Sequence, residues 1–138
     1  MPARDRFHDA VRHALEKAGW LITHDPFRLS IGDRNLYADL GAERLLAAEQ
    51  GARKICVEVK CFAGVSPVAD LEEALGQYTL YEMLLKGAEP EREMCLAVPV
   101  DAFADVFSEP LGQLVLHEKI TLLIVFDPTE EEIVQWIP

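Results

Sequence analysis

The segment Val57-Glu58-Val59-Lys60 holds the residue types in this chain with the clearest capacity for chemistry. A carboxylate and an amine lie two residues apart inside an apolar run over residues 55–62. In a β-strand, residues i and i+2 point to the same face, so Glu58 and Lys60 would project together while the two valines pack on the other side. Burying a charged pair costs free energy unless the pair has partners or a metal ion. Alone, Glu-x-Lys is more often a solvated ion pair.

Two further patterns make this pair informative. Asp39 lies in a second apolar run over residues 36–40, and Gln77 and Tyr81 lie four apart, hence on one face of a helix. An Asp on one strand and a Glu-x-Lys on the next is the layout of metal-dependent phosphodiester cleavage, because Mg²⁺ prefers carboxylate and carbonyl oxygens. Taken singly, Asp39 is typical of a strand end, and Gln77 and Tyr81 are typical of packing or surface positions.

The composition is that of an ordinary globular protein. The chain has 138 residues, of which 50% are hydrophobic and 27% are charged, and we expect a single domain over residues 1–138 with a substantial core. No apolar stretch approaches the ~20 residues needed to span a membrane. The polar start over residues 1–5 lacks the apolar region of a signal peptide. These features predict a cytoplasmic protein with no membrane contact.

The cysteines and histidines do not form a recognisable site. The three cysteines are an odd number without C-x-x-C spacing, which predicts small core residues in a reducing compartment. The four histidines show no metal-ligand spacing, and we expect them at the surface. These seven residues are Cys56, Cys61, Cys95, His8, His13, His24 and His117.

The net charge of -11 argues against a general nucleic-acid binder, but the charge is unevenly distributed. Residues 1–65 carry ten Lys/Arg and nine Asp/Glu, a net of +1, whereas residues 66–138 carry three and fifteen, a net of -12. The weakly basic half contains Asp39 and the Glu-x-Lys pair and could bind phosphate. The acidic half would then be free to bind a protein partner. The simpler alternative is a solvated acidic surface.

Hydrophobic periodicity predicts the elements that must position these residues. Helical spacing predicts an opening helix over residues 4–18. Alternation predicts a strand over residues 27–31 and a returning strand over residues 36–40, separated by a turn over residues 32–35.

The centre of the chain should join the two parts of the candidate site. Residues 43–50 suit a short helix or a continuing strand, with a hairpin into a strand over residues 55–62 slightly favoured. Ser66-Pro67 is typical of a helix start, and the helix should end near Gly87. Later predicted elements are a strand over 94–100, helices over 101–107 and 111–116, and strands over 121–126 and 133–137.

This order predicts an α/β fold, namely an α/β/α sandwich with a mixed central sheet. The first strands should form an antiparallel meander after the N-terminal helix. The long helix should be a crossover that sets the strands over residues 55–62 and 94–100 parallel. Helices would then cover both faces of the sheet.

The sequence pattern over residues 4–100 resembles that of the PD-(D/E)XK nuclease superfamily, whose fold is the restriction-endonuclease-like α/β/α sandwich. The resemblance implies that Asp39, Glu58 and the backbone carbonyl of Val59 hold Mg²⁺ or Mn²⁺, and that Lys60 orients the attacking water or stabilises the transition state. It also implies a phosphodiester hydrolase acting on DNA, although the fold hosts inactive members as well.

Two further assignments follow from the same resemblance. The string from Gln77 to Tyr81 is similar to the Q-h-x-x-Y motif of RecB-like members, which helps to hold the substrate backbone near the metal. Glu16, on the first helix, corresponds to a position where some members place a further metal-linked carboxylate.

A second resemblance covers the whole chain, which is identified as a member of the XisH family of cyanobacterial excision-controlling factors for the fdxN element. This resemblance implies a role in programmed DNA rearrangement, in which a separate site-specific recombinase excises an element, and it implies a small companion protein, XisI. The stretches that carry the resemblance are residues 1–5, 36–43, 74–78, 89–92 and 125–138.

Three functions remain open at this point. The chain could be a Mg²⁺-dependent DNA endonuclease, a non-catalytic DNA-binding control factor, or a subunit whose acidic half binds XisI or the recombinase. A homodimer would suit the first two functions, since two sites are needed to cut both strands. Against unaided DNA binding stands the lack of a basic cluster longer than Arg53-Lys54.

Overall fold

The computed structural model describes residues 7–45, 52–118 and 121–138, which form a mixed α/β fold. These described ranges contain eight strands and four helices. The strands are β1 (Leu21–His24), β2 (Phe27–Ile31), β3 (Arg34–Ala38), β4 (Leu40–Leu45), β5 (Ala52–Val59), β6 (Arg92–Pro99), β7 (Leu123–Asp127) and β8 (Glu132–Ile137). The helices are α1 (His8–Lys17), α2 (Pro67–Ala88), α3 (Val100–Val106) and α4 (Pro110–Glu118).

Six of these strands form one sheet in the order β1-β4-β5-β6-β7-β8. β5, β6 and β7 are parallel neighbours, and the remaining pairs are antiparallel. Helix α2 connects β5 to β6, and α3 and α4 connect β6 to β7, because parallel neighbours require a crossover. The predicted mixed sheet with an N-terminal helix and a crossover helix is therefore confirmed.

Helices cover both faces of the sheet, as expected for an α/β/α sandwich. On one face, α1 packs against inward-facing valines, isoleucines and phenylalanine of β5 and β7. On the other face, α2 and α4 pack against alternate residues of the same strands. The first cluster includes Val11, Leu15, Ile55, Val57, Val59, Ile124 and Phe126; the second includes Cys56, Leu71, Ala74, Tyr78, Leu85, Leu96, Val115 and Val125.

The predicted strand over residues 36–40 is wrong, because the chain changes sheets within it. β3 ends at Ala38 in a separate two-stranded sheet with β2, and β4 begins at Leu40 in the six-stranded sheet. The residue between them, Asp39, bends the chain, and its Oδ2 accepts a hydrogen bond of 2.7 Å from the backbone N–H of Val59. The antiparallel strands before the crossover are therefore β1, β4 and β5, with the β2–β3 hairpin inserted between β1 and β4.

Other element bounds differ by a few residues from those expected. The described part of the opening helix is α1, and residues 4–6 lie outside the described residues. Of residues 43–50, the first three belong to β4 and the rest are also outside the described ranges. The strand predicted to reach residue 62 ends at Val59, and Phe62 adopts a left-handed backbone with φ of 56°.

Helix α2 begins with the expected cap and is apolar on more than one side. The Ser66 hydroxyl accepts a hydrogen bond of 3.2 Å from the Ala69 N–H, and Pro67 occupies the first turn. Leu80 and Met83 are exposed on this helix, by 41% and 59%. Within the described ranges, no helix combines the length and apolar character needed to cross a membrane.

Candidate functional site

Asp39 and Glu58 meet where the two sheets join. The pair Leu40–Val57 is the last in register between β4 and β5, which places Asp39 beside Glu58 at the end of the ladder. Burial above all, and then the charge of Asp39 and a hydrogen bond between the two side chains, raise the pKa of Glu58 to about 9. The backbone of Asp39 and the charge of Lys60 lower this pKa without offsetting the rise. The two carboxyl groups therefore form one coupled, nearly buried unit.

The Val59 carbonyl lies on the side of the strand that faces this unit. The Lys60 N–H donates a hydrogen bond of 2.9 Å to the Ala97 carbonyl on β6. In a trans peptide the C=O and the next N–H point in opposite directions, so the Val59 carbonyl points away from β6. The Val59 N–H also points away from β6, because it donates to Asp39. The Val59 carbonyl thus lies on the same edge of β5 as the Asp39 carboxylate.

Lys60 reaches helix α2 rather than closing onto Glu58. Its Nζ lies 2.7 Å from Oε1 of Glu73, whose side chain is 57% exposed. Such a pair contributes little to stability because the exposed partner is screened by water. Lys60 still lies within electrostatic range of Glu58, since its charge lowers the pKa of that carboxyl. The amine can therefore exchange Glu73 for another anion without a large loss of stability.

Tyr81 of helix α2 lies within electrostatic range of the two carboxyl groups, and the Gln77 side chain hydrogen-bonds to it. Tyr81 is only 6% exposed, and burial together with the charges of Glu58 and Asp39 raises its pKa to about 12. A hydrogen bond from Gln77 lowers that pKa in part. The Oε1 atom of Gln77 is buried and has no hydrogen-bond partner among the described residues. A buried amide oxygen without a partner is unusual, because it loses its hydration without replacement.

Glu16 is not brought to this site. It lies on the exposed side of α1, two turns after the first residue of that helix. Across the described residues, no contact joins its carboxylate to Asp39 or Glu58. The further carboxylate near the site comes instead from the segment between β1 and β2.

His8 is buried beside Asp39, so its expected surface position is wrong. The imidazole is 3% exposed, with Nε2 2.7 Å from Oδ1 of Asp25 and Nδ1 3.4 Å from Oδ1 of Asp39. Because a carboxylate can only accept, the short contact requires a proton on Nε2. Arg12 donates a hydrogen bond of 2.6 Å to the other oxygen of Asp25. Arg12 and His8 therefore both donate to Asp25, and the second ring nitrogen of His8 lies 3.4 Å from Oδ1 of Asp39.

A sequence signal for His8 existed in the helical periodicity. His8 lies three residues before Val11 and seven before Leu15, two fully buried residues of α1. These spacings place all three side chains on one face. Asp25 gave no comparable signal, because Asp-Pro is an ordinary chain break.

The carboxyl groups of Asp39 and Glu58, where the two sheets join, suit a hard divalent cation. Adjacent carboxylates repel one another, and a cation would remove the cost that now keeps a proton on Glu58. In the described ranges, no three His, Cys, Asp or Glu side chains are arranged to hold a metal ion. Mg²⁺ does not require three, since it often binds through one or two carboxylates and completes its shell with waters and substrate phosphate.

Comparisons with known proteins identify one family. The family model described as "XisH protein" matches residues 1–134. A crystal structure of an XisH family protein from Nostoc punctiforme is 38% identical, with a TM-score of 0.86, and the alignment covers 97% of this chain and 100% of that one. An fdxN element excision controlling factor protein from Anabaena variabilis is 39% identical, with a TM-score of 0.86 and coverage of 98% and 100%.

A curated relative of different description matches only in part. A ribose-phosphate pyrophosphokinase from Porphyromonas gingivalis is 33% identical over 81 residues. The match covers 59% of this chain and 25% of that relative, so the chain spans about a quarter of the relative's length.

Proposed function

This chain belongs to the XisH family, and from that premise we propose that it is a metal-dependent DNA endonuclease of the PD-(D/E)XK type that acts in programmed DNA excision. The observation that carries the proposal is the coupled carboxyl unit of Asp39 and Glu58, with Lys60 in electrostatic range. Buried, mutually repelling carboxylates beside an amine are costly for a fold to keep and are typical of functional sites.

Each residue of the site has a distinct task in this proposal. Asp39, Glu58 and the Val59 carbonyl would hold Mg²⁺ or Mn²⁺. When bound, the cation would stabilise charge on the phosphate and lower the pKa of a water molecule. Lys60 would leave Glu73 and donate to the water or to a phosphate oxygen, which suits a compact ammonium on a flexible stem.

Helix α2 would hold the DNA strand against the site. Gln77 and Tyr81 lie on the face of α2 that meets the carboxyl unit. The unpaired Oε1 of Gln77 is an acceptor without a donor in the described part of the protein, so a water molecule bound beside the phosphate could donate to it. Tyr81 stays protonated at neutral pH and can donate its O–H to a phosphate oxygen.

The test is cleavage of plasmid DNA by the purified chain with Mg²⁺ or Mn²⁺. We expect nicking that stops with a chelator, and a rate at least ~100-fold lower in Lys60→Ala, because this amine acts on the reacting groups. The matched control is Lys54→Ala, which removes the same charge from the strand that leads into Lys60, at a lysine without an ion pair among the described residues. The control should cut at the wild-type rate.

Two results would contradict this assignment. Cleavage by Lys60→Ala at the wild-type rate and with the same metal dependence would show that the reaction occurs elsewhere. Absence of cleavage by the wild-type chain, in the presence of stable DNA binding, would favour a non-catalytic factor.

The exposed apolar side chains of helix α2 favour a second candidate function, that of a protein-binding subunit. Leu80 and Met83 are exposed to solvent on a helix whose opposite side packs in the core. Exposed apolar groups close together often mark a protein-binding surface. Under this alternative, the chain would act as an excision-controlling subunit with an XisI-like companion and a site-specific recombinase.

A further inference from the structure

Helix α2 has an outer face made of four exposed residues without charge. Gly76, Leu80, Met83 and Gly87 follow one another at intervals of four, three and four residues. These intervals place all four on one side of the helix. The residues that α2 buries against the sheet lie on the opposite side, namely Leu71, Ala74, Tyr78, Tyr81 and Leu85. A helix that is apolar on both sides is typical of one that is covered on both sides, so we expect another element to cover the outer face.

The two glycines of the outer face leave room for the backbone of another helix. Beyond the helix's own backbone, a Cβ atom on Gly76 or Gly87 would meet no atom of the described residues within 4 Å. Gly76 lies in the middle of α2, where glycine is less favourable than alanine because of its greater backbone freedom. The packing within one copy of the chain gives no reason for this glycine, whereas close approach of a second backbone would.

The outer face has the same pattern when it is read in either direction. In both directions a glycine is followed by a large apolar residue after four positions, by the second after three, and by a glycine after four. If two copies of α2 cross antiparallel about a two-fold axis between Leu80 and Met83, each Leu80 faces Met83 of the second copy. Each Gly76 then faces Gly87 of the second copy. A two-fold contact uses the same patch on both subunits and requires such self-complementarity.

The charges around the outer face allow a second copy to approach it. Residues 66–138 carry a net charge of -12, so most of this half would repel a second copy. Residues 74–88 contain one glutamate and one lysine, Glu82 and Lys86, and have no net charge. Acidic residues begin just beyond this segment, at Glu73 and Glu89. The electrostatic cost of association is therefore lowest where the apolar residues are exposed.

We propose that the outer face of α2 joins two copies of this chain in an antiparallel, two-fold helix pair. The inference goes beyond the proposed function and depends on neither DNA nor a metal ion. The contact from Gly76 to Gly87 covers about 18 Å of helix, which is at the small end of specific interfaces. We therefore expect a reversible dimer with a Kd on the order of 10 µM. Because α2 also carries Gln77 and Tyr81, the dimer would fix two candidate sites relative to one another.

The test is sedimentation equilibrium of the chain from about 1 to 200 µM, with a chelator present. Leu80→Lys places a charge in the centre of the contact, and we expect its dimer to be at least ~10-fold weaker than that of the wild type. The matched control is Leu114→Lys, the same substitution at a leucine of α4 that is 56% exposed. The control should dimerise as the wild type does.

Gly76→Leu separates loss of the dimer from loss of the fold. The leucine fills the open space above the glycine, so the dimer should again be at least ~10-fold weaker. At about 1 µM, where the chain is monomeric, the same variant should unfold at a higher temperature than the wild type, because leucine favours a helix over glycine. A variant that was simply misfolded would unfold at a lower temperature.

Leu80→Lys combined with Met83→Glu tests the direction of the helix pair. In an antiparallel pair each lysine faces a glutamate of the second copy, so we expect the double variant to dimerise at least ~3-fold more tightly than either single variant. A parallel pair would place like charges opposite one another and would show no such recovery, which would overturn the antiparallel arrangement.

Two further results would overturn the inference. One is a wild-type chain that stays monomeric to about 200 µM, which would leave the outer face of α2 to a different protein. The other is loss of the dimer in Leu114→Lys while Leu80→Lys keeps it. Neither result bears on the cleavage proposal, which concerns the opposite side of α2.

Discussion

The raised pKa of the Glu58 carboxyl group can be tested through protein stability, without measuring cleavage. In the metal-free protein it holds its proton to about pH 9, because burial and the neighbouring Asp39 disfavour the second negative charge. In the unfolded chain it loses that proton near its ordinary value of 4.5. Between these two values the folded state binds more protons than the unfolded state, so the free energy of unfolding falls as pH rises.

Glu58→Gln should therefore stabilise the metal-free protein, increasingly so as pH rises from 5 to about 9. The difference should grow by up to about 1.4 kcal/mol per pH unit within this window and vanish below pH 4.5, where both states are protonated. Urea denaturation at several pH values with a chelator measures it. Glu72→Gln, an exposed carboxylate on α2 without an ion pair among the described residues, is the control. A pH-independent gain in Glu58→Gln would refute the raised pKa of Glu58.

His8 should act through Asp39 rather than on the substrate. An asparagine at this position can place its amide nitrogen near the site of Nδ1 and keep the contact to Asp39. A glutamine instead places it near Nε2 and keeps the contact to Asp25. Loss of a group that orients a metal ligand typically costs 10–100-fold in affinity.

We expect His8→Gln to weaken Mn²⁺ binding about tenfold and His8→Asn to preserve it within about threefold. Isothermal titration calorimetry measures both affinities, and thermal unfolding separates this effect from simple loss of structure. If the two variants bind Mn²⁺ equally, His8 only joins α1 to the rest of the fold.

At the scale of elements, one buried hydroxyl group forms the hydrogen bonds that join helix α2 to the sheet. Tyr78 is 4% exposed, and its O–H donates to the Met94 carbonyl at 3.0 Å and accepts from the Leu122 N–H at 3.1 Å. These two hydrogen bonds join α2 to β6 and to the segment that enters β7. Tyr78, the residue after Gln77, therefore fixes the position of the helix that carries Gln77 and Tyr81.

Tyr78→Phe should lower the free energy of unfolding by about 1–3 kcal/mol, because it leaves two backbone groups without their partner. The urea midpoint should fall while the slope stays constant. Tyr37→Phe removes a hydroxyl that has no hydrogen bond among the described residues, and it should leave the midpoint unchanged. A Tyr78→Phe midpoint equal to that of wild type would show that water replaces the hydroxyl.

The elements that the sequence predicted well are those whose own residues are apolar because the element is buried. β6 and β7 are covered on both faces, and such strands read as continuous apolar runs. The break between β3 and β4 could not be predicted in this way. It depends on the hydrogen bond from the Val59 N–H to Asp39, twenty residues away in the chain, and no local pattern contains it.

At the scale of the whole molecule, the same distinction applies to the candidate site. The order of Asp39, Glu58 and the Gln77–Tyr81 pair along the chain was readable, and the structure brings these residues together. The contributions of His8 and Asp25 required the three-dimensional arrangement, because α1 and the β1–β2 segment meet Asp39 only in the folded protein. Likewise, no spacing in the sequence links Lys60 to Glu73.

The single-residue link between β3 and β4 sets a rule for how related chains can vary in length. Strand pairing holds Leu40 opposite Val57, so inserting or deleting one residue beside Asp39 would rotate its carboxylate to the other face. The hairpin tip at Gly32 and Asp33 lies in water and can gain or lose residues without moving that carboxylate. Over evolutionary time, the hairpin can therefore lengthen or shorten from its tip, while its base stays fixed in length even where the residue types drift.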